Sequence, residues 1–350
     1  MTKQQIFDTF KKKYSAYSPD FELWIKAEQV ERLNALVLEK NAVILKHNYM
    51  TWDLQCDEVI GFRGDSLELS KKAAATDAKV ILFLGVKFMA ETAKILNPDK
   101  TVLIPSLRAG CSLASSITGA DVRMLKKMYP NVPVVAYVNT DADTKSEVDV
   151  CCTSSNAAKV VRWAMDTWKT RQVIFLPDEF LTRNIAREIG AAVIFPTREK
   201  KRAISTSDMT LIGWPGRCEV HEKFTKDDVS TIKESFPGVY IMAHPECPPE
   251  VVDRVDFSGS TSAMIKEVQK PAIQKRPVAF FTECAMVEML ASQHKNVIQA
   301  CSIQKRCPHM ATNNLETAIK ALETMQHPVA VSDTIRKKAE IPIRRMIAIT

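Results

Sequence analysis

Short apolar runs rich in β-branched residues recur along this chain, each ending in polar groups and each followed by an amphipathic stretch of helical period. The stretch from Val239 to Met264 shows the unit most fully. An apolar run starting at Val239 ends in His244-Pro245-Glu246, and Gly259-Ser260-Thr261-Ser262 then precedes a helical pattern carrying Met264, Ile265 and Val268. Such runs read as buried parallel strands, and hydroxyl residues just before a helix read as N-caps. The free N–H groups of a first helical turn, together with the helix dipole, make a site for an anion.

The unit occurs twice more. Ala42–Tyr49 ends in His47 and Tyr49, and Gly64-Asp65-Ser66 precedes the next helical pattern; Pro133–Thr140 ends in Tyr137, Asn139 and Thr140, and Thr153–Asn156 precedes another. The distances from strand end to hydroxyl agree: 19 residues from His47 to Ser66, 17 from Tyr137 to Ser154 and 17 from His244 to Thr261. Each third continues with a second apolar run (Val80–Leu84, Gln172–Leu176, Val278–Thr282) and a third. A cysteine follows in each case, at Cys111, Cys218 and Cys307. This is a threefold internal repeat with a period of roughly 90–110 residues. Ligands of open α/β sheets bind outside the carboxyl ends of the strands. Three such units facing one centre would therefore aim their strand ends, hydroxyls and cysteines at a single cavity.

Around the repeats, the pattern predicts helices at Ile6–Tyr17, Phe21–Leu38 and Trp52–Val59, a polar insertion at Phe195–Met209, and a final apolar segment, Ile341–Ile347, packing back on the first third. The expected domains are residues 1–119 with the tail 309–350, residues 120–222, and residues 223–308.

Composition narrows the function classes. With 350 residues, 46% hydrophobic and 25% charged, the chain is of globular type. Its net charge of +7 is spread out, and the short basic runs lack interleaved aromatics. Nucleic-acid binding is therefore not expected, whereas a mild positive balance suits small anionic substrates. The absence of an 18-residue apolar run and of an apolar leader predicts neither a membrane span nor a signal peptide, hence a cytoplasmic protein. In a reducing compartment the nine cysteines point to metal or catalysis before disulfides.

Two metal readings stand. Cys218 with His221 makes half of a zinc site, though no second local pair completes it. Cys111, Cys218 and Cys307, at equivalent repeat positions, would converge as three ligands of an iron–sulfur cluster whose remaining iron is open as a Lewis acid.

Long blocks of the chain resemble the quinolinate synthase family of de novo NAD biosynthesis. They are GVKFMAETAKILNPDKTVLIPSLRAGCSLA, YVNTDADTKSEVD with CTSSNA, GWPGRCEVHEKF, HPEC with FSGSTSAMI, FFTEC and CPHM, and the likeness covers roughly Ala42 to Ile347. Met50 and Asp141 depart from it, standing where the family usually has Gln and Ser. The resemblance implies an α/β fold of three pseudo-threefold-related, three-layer αβα domains around a central active site. It implies an enzyme of the transferase class that condenses iminoaspartate with dihydroxyacetone phosphate to quinolinate, phosphate and water, using a 4Fe–4S cluster. An L-aspartate oxidase would supply the imine. Carried over by motif, Cys111, Cys218 and Cys307 would hold the cluster, with Cys301 the alternative to Cys307. His47, Ser66, Tyr137, Val138, Asn139, Ser154, His244, Pro245, Glu246 and Thr261 would contact substrate. Glu246 is the expected general base, its pKa raised by burial, with His47, Tyr49 and His244 as further catalytic residues.

Overall fold

Strand Ala42–His47 is flanked by Phe62–Gly64 on one side and Val80–Leu84 on the other, with Thr101–Leu103 beyond the latter. The second sheet repeats that order. Val134–Tyr137 lies between Val150–Cys152 and Gln172–Leu176, followed outward by Thr210–Gly213. The third repeats it again with Tyr240–Ala243 between Phe257–Ser258 and Val278–Phe281. There Val297 supplies the fourth position as a single parallel bridge to Val278. Every pairing within the three sheets is parallel. The protein is described from a computed structural model covering residues 1–197, 208–299 and 303–349.

Strands Val80–Leu84, Val134–Tyr137 and Val278–Phe281 are buried along their whole length because helices cover both faces, as all-parallel sheets require. One continuous apolar core runs through the first two repeats and the C-terminal helices. The third repeat has a core on each face of its sheet, with Met242 and Phe280 on one side and Ile241 and Phe281 on the other, as the period of two dictates.

Several boundaries differ from the sequence reading. The helix expected over Trp52–Val59 ends at Gln55, because the buried Lys46 ammonium donates to the carbonyls of Cys56 (3.0 Å) and Val59 (2.8 Å) and bends the chain around itself. The tail is a helix, Asp333–Ala348, that packs across the first and second repeats rather than on the first alone. Asn156 anchors it there, donating to the carbonyl of Ile349 at 3.1 Å. Much of the expected polar insertion, Phe195–Met209, lies outside the described residues, and just before it an unexpected strand, Ala192–Ile194, forms the edge of the second sheet. Cys284 is disulfide-bonded, unlike the uniformly reduced set expected. Among the described residues no helix is long and apolar enough to cross a membrane.

Hydrogen bonds stitch each seam between repeats. Ser260 Oγ donates to Asp65 Oδ2 at 3.0 Å across the first and third. The Ala142 N–H donates to Glu91 Oε2 at 2.8 Å across the first and second. Asn184 Nδ2 donates to the carbonyls of Pro245 (2.8 Å) and Cys247 (3.0 Å) across the second and third.

Candidate active site

The carboxyl ends of the central strands meet at one cleft, and all three repeats line it. His47, Tyr49, Ser66, Tyr137, Asn139, Ser154, His244, Glu246 and Thr261 are on its wall, together with Cys111, Cys218 and Cys307. Val138 and Pro245, also expected among the substrate contacts, are buried next to wall residues but do not themselves line the cleft. Cys301 lies outside the described residues.

His47 and His244 are the same device in two repeats. The backbone N–H of Tyr49 donates to His47 Nδ1 (3.2 Å), and that of Glu246 donates to His244 Nδ1 (3.3 Å). Nδ1 is therefore the acceptor and Nε2 carries the proton in both rings. Burial pushes His47 down to about 4 and His244 down to about 3, so both imidazoles are neutral near pH 7.

The hydroxyls serve the cleft differently from the expected capping. Asp65 caps helix Ser66–Ala75, accepting from Leu67 N and Glu68 N at 3.1 and 3.0 Å, and Ser260 caps Thr261–Val268. Ser66 and Thr261 are thus first helical residues, their hydroxyls freed for the cavity. Ser154 precedes Asn156, which makes no side-chain cap on its own helix, its Oδ1 instead accepting from the Thr153 N–H at 2.8 Å. The capping is done one residue earlier than expected in two of the three, so part of each first turn's N–H set is already taken. Asn48 Nδ2 fixes Thr261 by donating to its Oγ1 at 2.9 Å.

Glu246 is the hub of the polar wall and overturns one expectation. Burial pushes its pKa up, but His244, His221 and hydrogen bonds from His221 and Tyr137 outweigh burial and hold it at about 2. Since His244 is itself neutral, we assign most of this effect near pH 7 to the hydrogen bonds. His221 Nδ1 lies 2.7 Å from Glu246 Oε2, and Asn139 Nδ2 donates to Oε1 at 3.2 Å. Glu246 is thus a buried carboxylate kept ionised by protein hydrogen bonds, and not the neutral acid of raised pKa that burial alone would make.

Sequence reasoning weighed His221 only as half a zinc site and missed its central position. Its ring stacks on His244 with centroids 4.7 Å apart, and its Nε2 approaches Thr282 Oγ1 (3.2 Å) and the Tyr49 hydroxyl (3.3 Å). Tyr49 and Thr282 oxygens are 2.7 Å apart. Glu283, also missed, lines the cleft, caps the helix Cys284–Gln293 and accepts the Cys307 N–H at 3.0 Å; burial pushes it up to about 7. The available signal was positional. Glu283 and Asp178 are equivalent acids at the ends of the second strand of their repeats, each capping the next helix.

The three cysteines are free thiols on the same cleft. Burial pushes Cys111 up to about 12, Cys307 to about 11 and Cys218 well up, so in the metal-free chain they are neutral and metal binding must displace protons. Soft sulfur donors, one from each repeat and with no fourth cysteine on this wall among the described residues, fit an iron–sulfur cluster that leaves one iron open. An acceptor is also left over: Asn139 Oδ1 is buried with no partner, at the cavity wall.

The molecule is therefore an α/β protein of three parallel sheets, with a cleft that joins three thiols to hydroxyls near helix starts. Comparison with known proteins narrows that class. The family model of quinolinate synthetase A protein matches residues 31–348. Quinolinate synthase of Caulobacter vibrioides is 46% identical over 327 residues, 92% of this chain and 82% of its own. Quinolinate synthase 2 of Mesorhizobium japonicum is 45% identical over 335 residues, 95% of this chain and 94% of its own. That of Xylella fastidiosa is 44% identical over 322 residues, covering 91% and 87%. The chain belongs to the quinolinate synthase family of NAD biosynthesis.

Proposed function

We propose that the chain condenses iminoaspartate with dihydroxyacetone phosphate to quinolinate, releasing phosphate and water, with a 4Fe–4S cluster held by Cys111, Cys218 and Cys307. The observation that carries this reading is the single cleft, in which three thiols face hydroxyls at helix starts from three repeats. When bound, the cluster supplies a Lewis acid for a substrate oxygen. An L-aspartate oxidase is the expected source of the imine. The domain boundaries proposed from sequence divide the chain so that each part contributes one thiol and one cradle.

The chain's own groups supply the rest. The hydroxyls of Ser66 and Thr261, at the first positions of their helices, and of Ser154 ahead of its helix, suit the two carboxylates and the phosphate. The unpaired Asn139 Oδ1 accepts from an imine N–H or a substrate hydroxyl. The Tyr49 hydroxyl, held between Thr282 and His221, is placed to deliver a proton. Glu246 starts ionised and can accept a proton once substrate displaces its hydrogen-bond donors. His47 and His244 present Nε2–H as neutral donors. Loss of water from the intermediates is favoured in so enclosed a site.

The test is anaerobic purification followed by iron and sulfide analysis and a quinolinate assay with both substrates. About four irons and four sulfides per chain with turnover are expected. A colourless active protein would overturn the cluster, and a brown protein that releases no phosphate from the triose phosphate would overturn the substrate.

A further inference from the structure

The half zinc site read in the sequence is completed in the fold by a residue from another repeat. His221 Nδ1 lies 3.2 Å from Cys218 Sγ and 2.7 Å from Glu246 Oε2, and the ligand atoms of the three residues are all within 4.8 Å of one another. A zinc ion with bonds of about 2.0–2.3 Å needs ligand atoms roughly 3.3–3.8 Å apart, so small side-chain adjustments suffice. His221 and Glu246 are 1% and 3% exposed, which removes competing water from both.

The outer partners of such a site are already in place. A ligating histidine almost always gives its other ring N–H to an oxygen, which fixes its tautomer and direction. Here Nε2 faces Thr282 Oγ1 at 3.2 Å, and the Tyr49 hydroxyl in turn lies 2.7 Å from that oxygen. The second oxygen of Glu246 is held by Asn139 Nδ2 at 3.2 Å. All three ligand residues line the cleft, so the fourth position of a tetrahedral ion would open onto it. One thiolate and one carboxylate would balance the charge of a divalent cation.

We propose that the cluster-free chain binds one zinc-class divalent cation at Cys218, His221 and Glu246, and that this ion and the cluster exclude each other. Exclusion follows from the shared Cys218 sulfur and rests on the cluster reading above; binding of the single ion does not. The bound cation would fill its open position with water or a substrate oxygen. It would block maturation until removed.

The probe is Co²⁺ added anaerobically to the full chain freed of iron, followed by displacement with Zn²⁺. One Co²⁺ per chain is expected, with the visible bands of a tetrahedral ion and a sulfur-to-cobalt band of one-thiolate intensity. His221→Ala and Glu246→Ala should each weaken binding about 100-fold or more, Thr282→Val about 10-fold, whereas Cys111→Ala and Cys307→Ala should leave affinity within about 3-fold. Three-thiolate band intensity, or equal losses in the Cys111 and Cys307 variants, would place the ion on the three cysteines and overturn the proposal. The wild-type band intensity decides this even where a variant fails to fold. Zinc-loaded chain should take up no cluster iron until treated with a chelator, and full iron uptake with zinc retained would overturn exclusion while leaving the binding result to stand on its own spectrum.

Discussion

Replacing His244 with Asn isolates the energetic signature of a buried neutral imidazole. The Asn Oδ1 can accept the Glu246 N–H that His244 Nδ1 accepts at 3.3 Å, so the turn is kept while the titration is removed. In the fold, burial pushes His244 down from 6.5 to about 3. A depressed folded value means that its contribution is fully present above pH 6.5 and is lost as pH falls toward 3. Between pH 7 and pH 5 the unfolded histidine takes up most of a proton that the folded one refuses. That span is worth roughly 1.4 pH units at 1.36 kcal/mol each, about 2 kcal/mol. Glu283, raised to about 7, works in the opposite direction over the same window, so the wild-type curve alone is a sum. The difference between wild type and His244→Asn cancels it. Urea denaturation of both metal-free chains, at pH 7 and pH 5, reads that difference. The stability of wild type relative to the variant should fall by about 2 kcal/mol on going from pH 7 to pH 5. Parallel pH dependence in the two chains would show that His244 titrates normally in the fold, and the neutral-donor role would go with it.

Cys111→Ala, Cys218→Ala and Cys307→Ala should each abolish cluster iron and turnover, while the core residues Cys56 and Cys152 can be changed to Ala with both retained; iron analysis distinguishes the sets, and a full cluster in any of the first three removes that ligand. Glu246→Gln should keep the cluster yet lose at least about 100-fold in kcat, as expected for a removed proton acceptor, and near-normal turnover would leave Glu246 only a structural hub. Addition of a dicarboxylate should slow hydrogen exchange at the segments around Ser66, Ser154 and Thr261 together, because a ligand touching three repeats orders all three; protection in one segment alone would place the site within one repeat.

Much of the fold was legible because the signals were local. Val80–Leu84 is apolar from end to end, and Gln172–Leu176 after its first residue, for lack of a solvent face, and their bounds coincide with expectation. The similar spacing from His47, Tyr137 and His244 to a hydroxyl near the next helix marked one strand–helix unit used three times, and the three sheets share the order of their first three strands. What failed locally did so where a distant or buried polar group took charge. Lys46 shortened the helix after Trp52, and Asp65 and Ser260 took the caps and then bonded each other across a seam. No pattern in either segment announces that partner.

The site shows the same division more sharply. Repetition located the wall, since residues at equivalent positions of like units must face the same way once the units share a centre. It could not set the charge of Glu246, because that depends on which donors meet it. Burial by itself favours the neutral acid, and on that basis a raised pKa was expected. The fold instead brings His221, Tyr137 and Asn139 to one carboxylate, and hydrogen bonds to the ionised form win over burial. Those residues stand 25 to 109 positions away in the chain. His221 is the residue that single-site reading undervalues most: it lies three after Cys218, touches Glu246 with one nitrogen and reaches Tyr49 and Thr282 with the other. A group that joins thiol, carboxylate and phenol in one contact network ties the metal chemistry of the cleft to its proton chemistry, so a change at His221 must be read in both.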